Sequence, residues 1–416
     1  MTFFDGAGVR TRSGTVQHLV YLGPIQNHGS TLGQFGSGLV LGIARHSSIQ
    51  VDIVCPARNS DSAEPDLPWP SNVRIVHTFK TNRTPTILGL VRVIGQSEGK
   101  VAVFNLTPTS AGPRNLGNAA MLAVPILTAM LHGKRVYVVY HNSSFTTDYG
   151  ALGYSSFFDS IRARTLRVIE TILFKTTSVT LLLRQYQQKV KLRSGRHVDY
   201  NPFQYVEALP GLAAMGLATD GKVDRLRIAG SPAPTILMHG NWGPQKDLSR
   251  ALSTLRILKQ DYDFRLVISG SINSNFRIYS RQFEAIISRY SDLHPRIVLG
   301  VPEIEMPSLF LESDLVLMPY LASGGRSGVM ELATFYSRPV IATTTEEFVE
   351  QSSLKRGVTL CSLDSLSNEI ESFLKQWRGR LDGELDVTGC VATANREIDS
   401  FLAKVSLGFE DTSDFS

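Results

Sequence analysis

The chain has 416 residues with 43% hydrophobic and 19% charged side chains, enough for two globular domains of about 200 residues each and unlike a disordered or fibrous protein. Its net charge of +5 is unevenly spread: residues 1–210 hold 21 Lys+Arg against 11 Asp+Glu, so the N-terminal half suits phosphates or anionic headgroups. Three scattered cysteines, Cys55, Cys361 and Cys390, form no CxxC pair, which argues against zinc and disulfide frameworks and for a reducing, cytoplasmic compartment.

In chain order, residues 1–14 lack an apolar run of signal-peptide length. Residues 16–22 are an apolar, β-branched run, predicted as a strand. The Gly-rich stretch 22–36 follows, and Leu32, Phe35, Leu39 and Ile43 then recur at helical spacing. Runs 51–55, 73–77, 101–105 and 135–140 are predicted strands. Between them, 116–131 is apolar but carries Asn118 and Pro125; it is too short for a membrane span and is expected as a buried helix. Residues 137–144, YVVYHNSS, place His141 at a strand end, where an imidazole is a ligand-contact candidate. A basic helix over 162–175 and a strand over 179–183 complete this half. Alternation of β and α elements predicts a parallel sheet with helices on both faces.

Residues 211–233 are rich in Gly, Ala and Pro and are expected to be the linker between an N-terminal domain, 1–210, and a second domain, 234–390. The alternation restarts there. Strands are predicted at 235–239, 264–269, 296–299, 315–319 and 339–342, and a helix at 248–259. The tail, 391–416, carries a last amphipathic helix over about 391–405. The fold class is therefore α/β, with two doubly wound Rossmann-like domains facing a central cleft, where such sheets bind ligands at their carboxyl edges.

The strongest chemical signal is PYLASGGRSGVMELATFYSRPVIAT, residues 319–343. A strand ends, a Gly/Ser loop follows, and a helix starts near Ser327. Gly324, Gly325 and Gly328 allow close backbone approach, and free N–H groups at the helix start suit an anion. Ser323 and Ser327 add hydroxyls, Arg326 a fixed positive charge, and Glu331 lies one turn on from Ser327, where a carboxylate can accept both hydroxyls of a ribose. These are the parts of a nucleoside-diphosphate site.

The segment resembles the signature of glycosyltransferase family 4, retaining enzymes of the two-Rossmann-domain (GT-B) class. There a first Glu contacts the donor sugar and a second, eight positions later, the ribose. Glu331 matches the second, whereas Ser323 stands at the first. ILMHGNWGPQKDLSRAL, 236–252, resembles the family's Gly-Arg…Lys element that neutralises the donor diphosphate; Gly240 and Lys246 match, and Asn241 stands where Arg is expected. Arg326 is the candidate for the missing charge. The resemblance further implies that Gly29 and Ser30 belong to the first Gly-rich loop, which meets the leaving phosphate; that His141 lies near the donor sugar; and that Gly300 and Val301 face the base with backbone groups. His28, in the same loop as Gly29, is a weaker contact candidate. Glu346 and Glu347 occupy a position where the family often has a cleft carboxylate, but are expected at the surface.

The implied reaction moves a sugar from a UDP- or GDP-sugar to an acceptor hydroxyl with retention, with catalytic contributions from His141, Lys246 and Arg326 and with no metal or cofactor beyond the donor substrate. The basic N-terminal half suggests a glycan or lipid-linked acceptor and contact with an anionic membrane surface. Nucleic acid is not expected, because aromatic residues do not interleave with the basic stretch. A nucleotide-sugar epimerase of the same fold and a non-catalytic nucleotide-sugar binder stay open as alternatives.

Overall fold

A computed structural model describes residues 18–23, 31–46, 49–56, 67–79, 86–106, 116–146, 150, 152, 157–195, 198–217, 225–228, 230–273, 276, 278–302, 305–380 and 383–407. The N-terminal sheet has seven strands: β1 (His18–Leu22), β2 (Gln50–Pro56), β3 (Val73–Phe79), β4 (Val101–Leu106), β5 (Arg135–Tyr140), β6 (Ser178–Leu181) and β7 (Asp199–Tyr200), in the order β3-β2-β1-β4-β5-β6-β7. Every pairing is parallel. All six residues of β4, VAVFNL, are buried, as expected of a strand covered on both faces. The covering helices are α1 (Thr31–Ala44), α2 (Thr86–Gln96), α3 (Leu116–Leu131), α4 (Phe157–Thr176) and α5 (Arg184–Ser194). Among the described residues no helix is long and apolar enough to cross a membrane.

The start of the expected linker, 211–233, is built into the fold. A 3₁₀ turn, Val206–Ala208, runs into α6 (Leu209–Ala214), and residues 206–213 are buried. The small residues that suggested a linker instead permit close packing: a Cβ on Gly211 would lie 2.7 Å from Pro307 Cγ. The chain then forms β8 (Arg225–Ile228), which pairs antiparallel with β15 (Gly383–Asp386).

The second sheet has six strands, β9 (Thr235–Trp242), β10 (Arg265–Ile272), β11 (Arg296–Leu299), β12 (Leu315–Met318), β13 (Val340–Thr343) and β14 (Val358–Cys361), ordered β11-β10-β9-β12-β13-β14, again all parallel. Its helices are α7 (Leu248–Leu258), α8 (Tyr279–Arg289), α9 (Met306–Leu311), α10 (Gly328–Phe335), α11 (Glu346–Ser353) and α12 (Leu366–Gln376). The last helix, α13 (Thr388–Leu407), returns to the N-terminal domain: Arg45 bonds Asn395 and Asp399, Tyr137 donates to the Val405 carbonyl at 3.2 Å, and Phe401 packs edge-on against Tyr137 and Phe203. Strand order reverses between β1 and β4 in one sheet and between β9 and β12 in the other. Those two switch points are where sheets of this kind open a crevice for ligand.

Candidate functional site

Both segments singled out in the C-terminal half flank the β9/β12 switch point, and the backbone ties them together. The Asp247 amide donates to the Pro319 carbonyl and the Leu321 amide to the Gln245 carbonyl, each at 2.8 Å, and Lys246 pairs with Tyr320. Gly240, at the end of β9, has φ 148°, and a Cβ there would meet the Lys246 ammonium at 2.6 Å. Its glycine is what makes room for that ammonium.

Lys246 is buried. Its Nζ donates to the Asn241 carbonyl at 2.6 Å and lies 4.6 Å from the centre of the Tyr320 ring and 5.7 Å from that of Trp242. Burial alone pulls its pKa down to about 7. Among the described residues no carboxylate pairs with it; two aromatic faces and one carbonyl are its contacts. His239, one residue before Gly240, bonds Ser269 Oγ at 2.8 Å and is held neutral by burial and then by the Lys246 charge, with a pKa of about 3. Asn241 itself is exposed. Gly300 has φ 70° and its amide donates to the Gly270 carbonyl, while the Val301 side chain is in the core.

The signature loop leads into α10 through Ser327, which caps the helix by accepting from the Met330 amide. Its own amide donates to Gln351 Oε1 at 2.9 Å. Ser323 Oγ donates to the Gly325 carbonyl, a turn that a carboxylate at this position would not make. Gly324 and Gly325 lie against the N-terminal domain: a Cβ on Gly325 would meet the His141 carbonyl at 2.8 Å, and one on Gly324 would meet Leu152 at 3.2 Å. The loop's glycines thus serve the domain contact as well as any ligand.

Two expected roles change. Arg326 does not stand open to the cleft. Its side chain is buried and makes a two-pronged ion pair with Glu207 in the 3₁₀ turn, plus a 2.7 Å hydrogen bond to the Phe203 carbonyl. Glu331, expected to hold ribose hydroxyls, is also enclosed. Its Oε1 accepts from Gln351 Nε2 at 2.8 Å and faces Arg326 Nε at 3.4 Å; its Oε2 accepts from Lys355 Nζ at 2.6 Å and the Tyr205 amide at 3.0 Å. Three of these contacts are hydrogen bonds; Arg326 Nε has no hydrogen-bond partner among the described residues and adds its charge alone. In this conformation Glu331 is buried, so a ribose reaches it only if the joint opens. Burial pushes Glu331 up, but Arg326 and Lys355 outweigh it and hold the carboxyl below its usual value. Burial wins at Glu207, whose carboxyl is raised despite Arg326.

Glu207, Arg326, Glu331 and Lys355 therefore form a buried network of two anions and two cations at the domain joint. Glu207, Lys355, Gln351 and Tyr205 carry no motif that would have marked them in the sequence. A second joint lies at α11. Glu350 accepts from the Arg184 and Gln185 amides at the start of α5, Glu347 accepts from Tyr186 Oη at 2.8 Å, and Glu346 pairs with Lys189. Glu346, exposed as expected, and Glu347, half-buried, also bridge the domains.

On the N-terminal side, His141 follows β5 and its Nε2 lies 2.6 Å from Asn105 Oδ1. Phe35 packs edge-on against its ring, with centroids 4.5 Å apart. Burial, then the nearby Arg326, lowers its pKa to about 3, so near neutrality it acts as a neutral hydrogen-bonding group and not as an acid. The turn after it is gripped by Glu170 of α4, buried, which accepts from Tyr140 Oη, Ser143 Oγ and the Ser144 amide. His28, Gly29 and Ser30 lie outside the described residues.

No protein-family model matches the chain, and no curated protein does. Solved structures do. Sucrose-phosphate synthase from Thermosynechococcus elongatus superposes with a TM-score of 0.60 at 13% identity, covering 94% of this chain and 97% of that one. The Anabaena protein HepE, in complex with UDP and glucose, gives 0.56 at 11%, covering 94% and 97%. A Listeria monocytogenes protein described as a UDP-N-acetylglucosamine 2-epimerase gives 0.57 at 13%, covering 96% and 98%. The likeness establishes the fold: two Rossmann-like domains in the GT-B arrangement.

Proposed function

We propose that the chain is a glycosyltransferase that moves a sugar from a UDP- or GDP-sugar to an acceptor hydroxyl, with retention. The observation that carries this reading is Lys246: a buried ammonium with no paired carboxylate among the described residues, at the switch point beside the signature loop. A buried cation is costly unless an anion meets it, and a diphosphate at the carboxyl edge of β9 and β12 is such an anion. HepE holds UDP on the same fold, which supports the reading.

As the glycosidic bond breaks, charge grows on the leaving diphosphate. Lys246 and the amides at the start of α10 would stabilise that charge most when it is fully developed. Lys246 and the α10 cap, with Gly240, Asn241, Gly300, Ser323, Gly324, Gly325 and Gly328, are the proposed donor-side residues, and no metal or other cofactor is assigned a part. His141 faces the sugar as a neutral group. We assign Arg326 and Glu331 to holding the domains in register around the donor, not to the diphosphate itself. An epimerase needs cleft carboxylates free to move protons, and the two placed here, Glu207 and Glu331, are both locked in ion pairs. Incubation with UDP- and GDP-sugars and candidate acceptors tests the reading. Free nucleotide diphosphate with a glycosylated product supports it; an isomerised donor, or binding without turnover, refutes it.

The acceptor is proposed to be a glycan or lipid-linked saccharide held at an anionic membrane surface. Ile161, Val168 and Ile172 share one exposed face of α4 by their spacing, and exposed Arg164 and Lys175 border it. Part of the basic stretch is committed elsewhere: Lys189 to Glu346, Arg193 to the Phe145 carbonyl and Arg167 to the Ser144 carbonyl. Flotation with vesicles containing anionic lipid at low salt is therefore expected to recover the parent protein, and to lose most of it after Val168→Glu and Ile172→Glu together. Equal recovery with neutral vesicles would sink the membrane assignment.

A further inference from the structure

β4 and β5 are parallel neighbours with Asn105 opposite Val139, and His141, just past β5, donates its amide to the Leu106 carbonyl at 3.1 Å. Asn105 is 1% exposed. Its Nδ2 donates to Tyr21 Oη at 2.9 Å, which turns its Oδ1 toward His141 Nε2 at 2.6 Å. A carboxamide oxygen has no proton to give, so the facing ring nitrogen must carry one. The two groups are held close: a Cβ on Gly23 would meet both Tyr21 Oη and Asn105 Cβ at 2.8 Å, so the loop leaves β1 there through a glycine. Phe35 also packs edge-on against the imidazole, at an interplanar angle of 83°.

We propose that Asn105, oriented by Tyr21, is a positioning residue that fixes the proton of His141 on Nε2, leaving Nδ1 as a hydrogen-bond acceptor for a hydroxyl-bearing ligand of the cleft. The hydroxyl ligand rests on the glycosyl-transfer reading above; the tautomer does not. The next residue supports the same chemistry. Asn142 is buried, and its Oδ1 has no hydrogen-bond partner among the described residues. Two acceptors at one strand end suit hydroxyl donors on a sugar and repel a phosphate or carboxylate. The neutrality of His141 keeps this preference constant across physiological pH.

The test is a long-range proton–nitrogen correlation spectrum of the full chain, free of nucleotide and labelled with nitrogen-15 at histidine, with His141 assigned by its loss in His141→Gln. Nδ1 should appear at the unprotonated position and Nε2 at the protonated one, without movement between pH 5 and 8. Tyr21→Phe removes the acceptor that orients the amide and should shift Nδ1 toward the averaged position of two exchanging tautomers. Adding Asn105→Asp to Tyr21→Phe should restore the parent signature, since either carboxylate oxygen accepts from Nε2. An Nδ1-protonated or already averaged ring in the parent overturns the proposal, as does a Tyr21→Phe spectrum identical to the parent's. Because no donor is present, failure here and failure of the transfer assay are separate results.

Discussion

Lys246→Met should melt at a higher temperature than the parent and lose binding of UDP and GDP. The two effects share one cause. Burial lowers the Lys246 pKa from 10.5 to about 7, and a shift of that size near neutrality corresponds to roughly 4–5 kcal/mol of folding free energy forgone. Methionine fills a similar volume without the charge and gives up the bond to the Asn241 carbonyl and the cation contacts with the Tyr320 and Trp242 rings, so a net gain of about 2 kcal/mol is expected. The pH sign follows from the depressed folded value. Between pH 7 and 10.5 the unfolded chain binds more protons than the folded one, so parent stability rises with pH across that window. The advantage of Lys246→Met is therefore full below pH 7 and fades toward pH 10.5. Thermal melts at pH 6, 8 and 10 with and without UDP read both effects. A variant less stable than the parent at pH 6 would show that Lys246 is a structural lysine.

Arg326→Met should do the opposite. It leaves Glu207 and Glu331 buried beside a single cation, Lys355, and breaking a buried pair by removing one partner costs on the order of 3–5 kcal/mol. Lysine should rescue it poorly, because an ammonium does not reproduce the paired contacts to Glu207. In the variant both carboxyls are raised above their unfolded values. The folded state then takes up protons first as pH falls, so the deficit shrinks from pH 7 toward pH 5. In the parent the depressed Glu331 has the reverse sign: its contribution is present above the unfolded value and is lost on acidification through the folded one. Denaturant titrations at pH 5 and 7 separate the cases. Were Arg326 a diphosphate ligand, its loss would spare stability and abolish nucleotide binding, the pattern expected of Lys246.

That contrast shows what could be read before the fold was known. Strand and helix alternation follows from periodic burial, so most strands of both sheets, a last helix near α13 and the pairing of a Gly/Ser loop with a helix start were visible in residue order, whereas the short edge strands β7 and β14 were not. Lys246 was visible too, because its strand, glycine and helix are adjacent in sequence. Arg326 and Glu331 were recognisable as charges, but their partners were not. Glu207 lies 119 positions from Arg326, and Lys355 and Gln351 belong to a helix and turn with no motif. A carboxylate on the right face of a helix can be an open acceptor or a buried, paired one, and only the tertiary joint decides. The same holds for the first residues of the expected linker, 211–233, where Gly211, Leu212 and Ala213 pack as core.

The central claim, that an anion of the nucleotide meets Lys246, has a direct measure in proton linkage. A diphosphate beside the ammonium returns its pKa toward 10.5, so at pH 8 binding should take up close to one proton. Calorimetric titration of the parent with UDP and GDP at pH 8, in two buffers of different ionisation enthalpy, gives that number. The account predicts uptake of about one proton with at least one of the two nucleotides, and its disappearance together with binding in Lys246→Met. Binding without proton uptake, or undiminished binding by the variant, would contradict it.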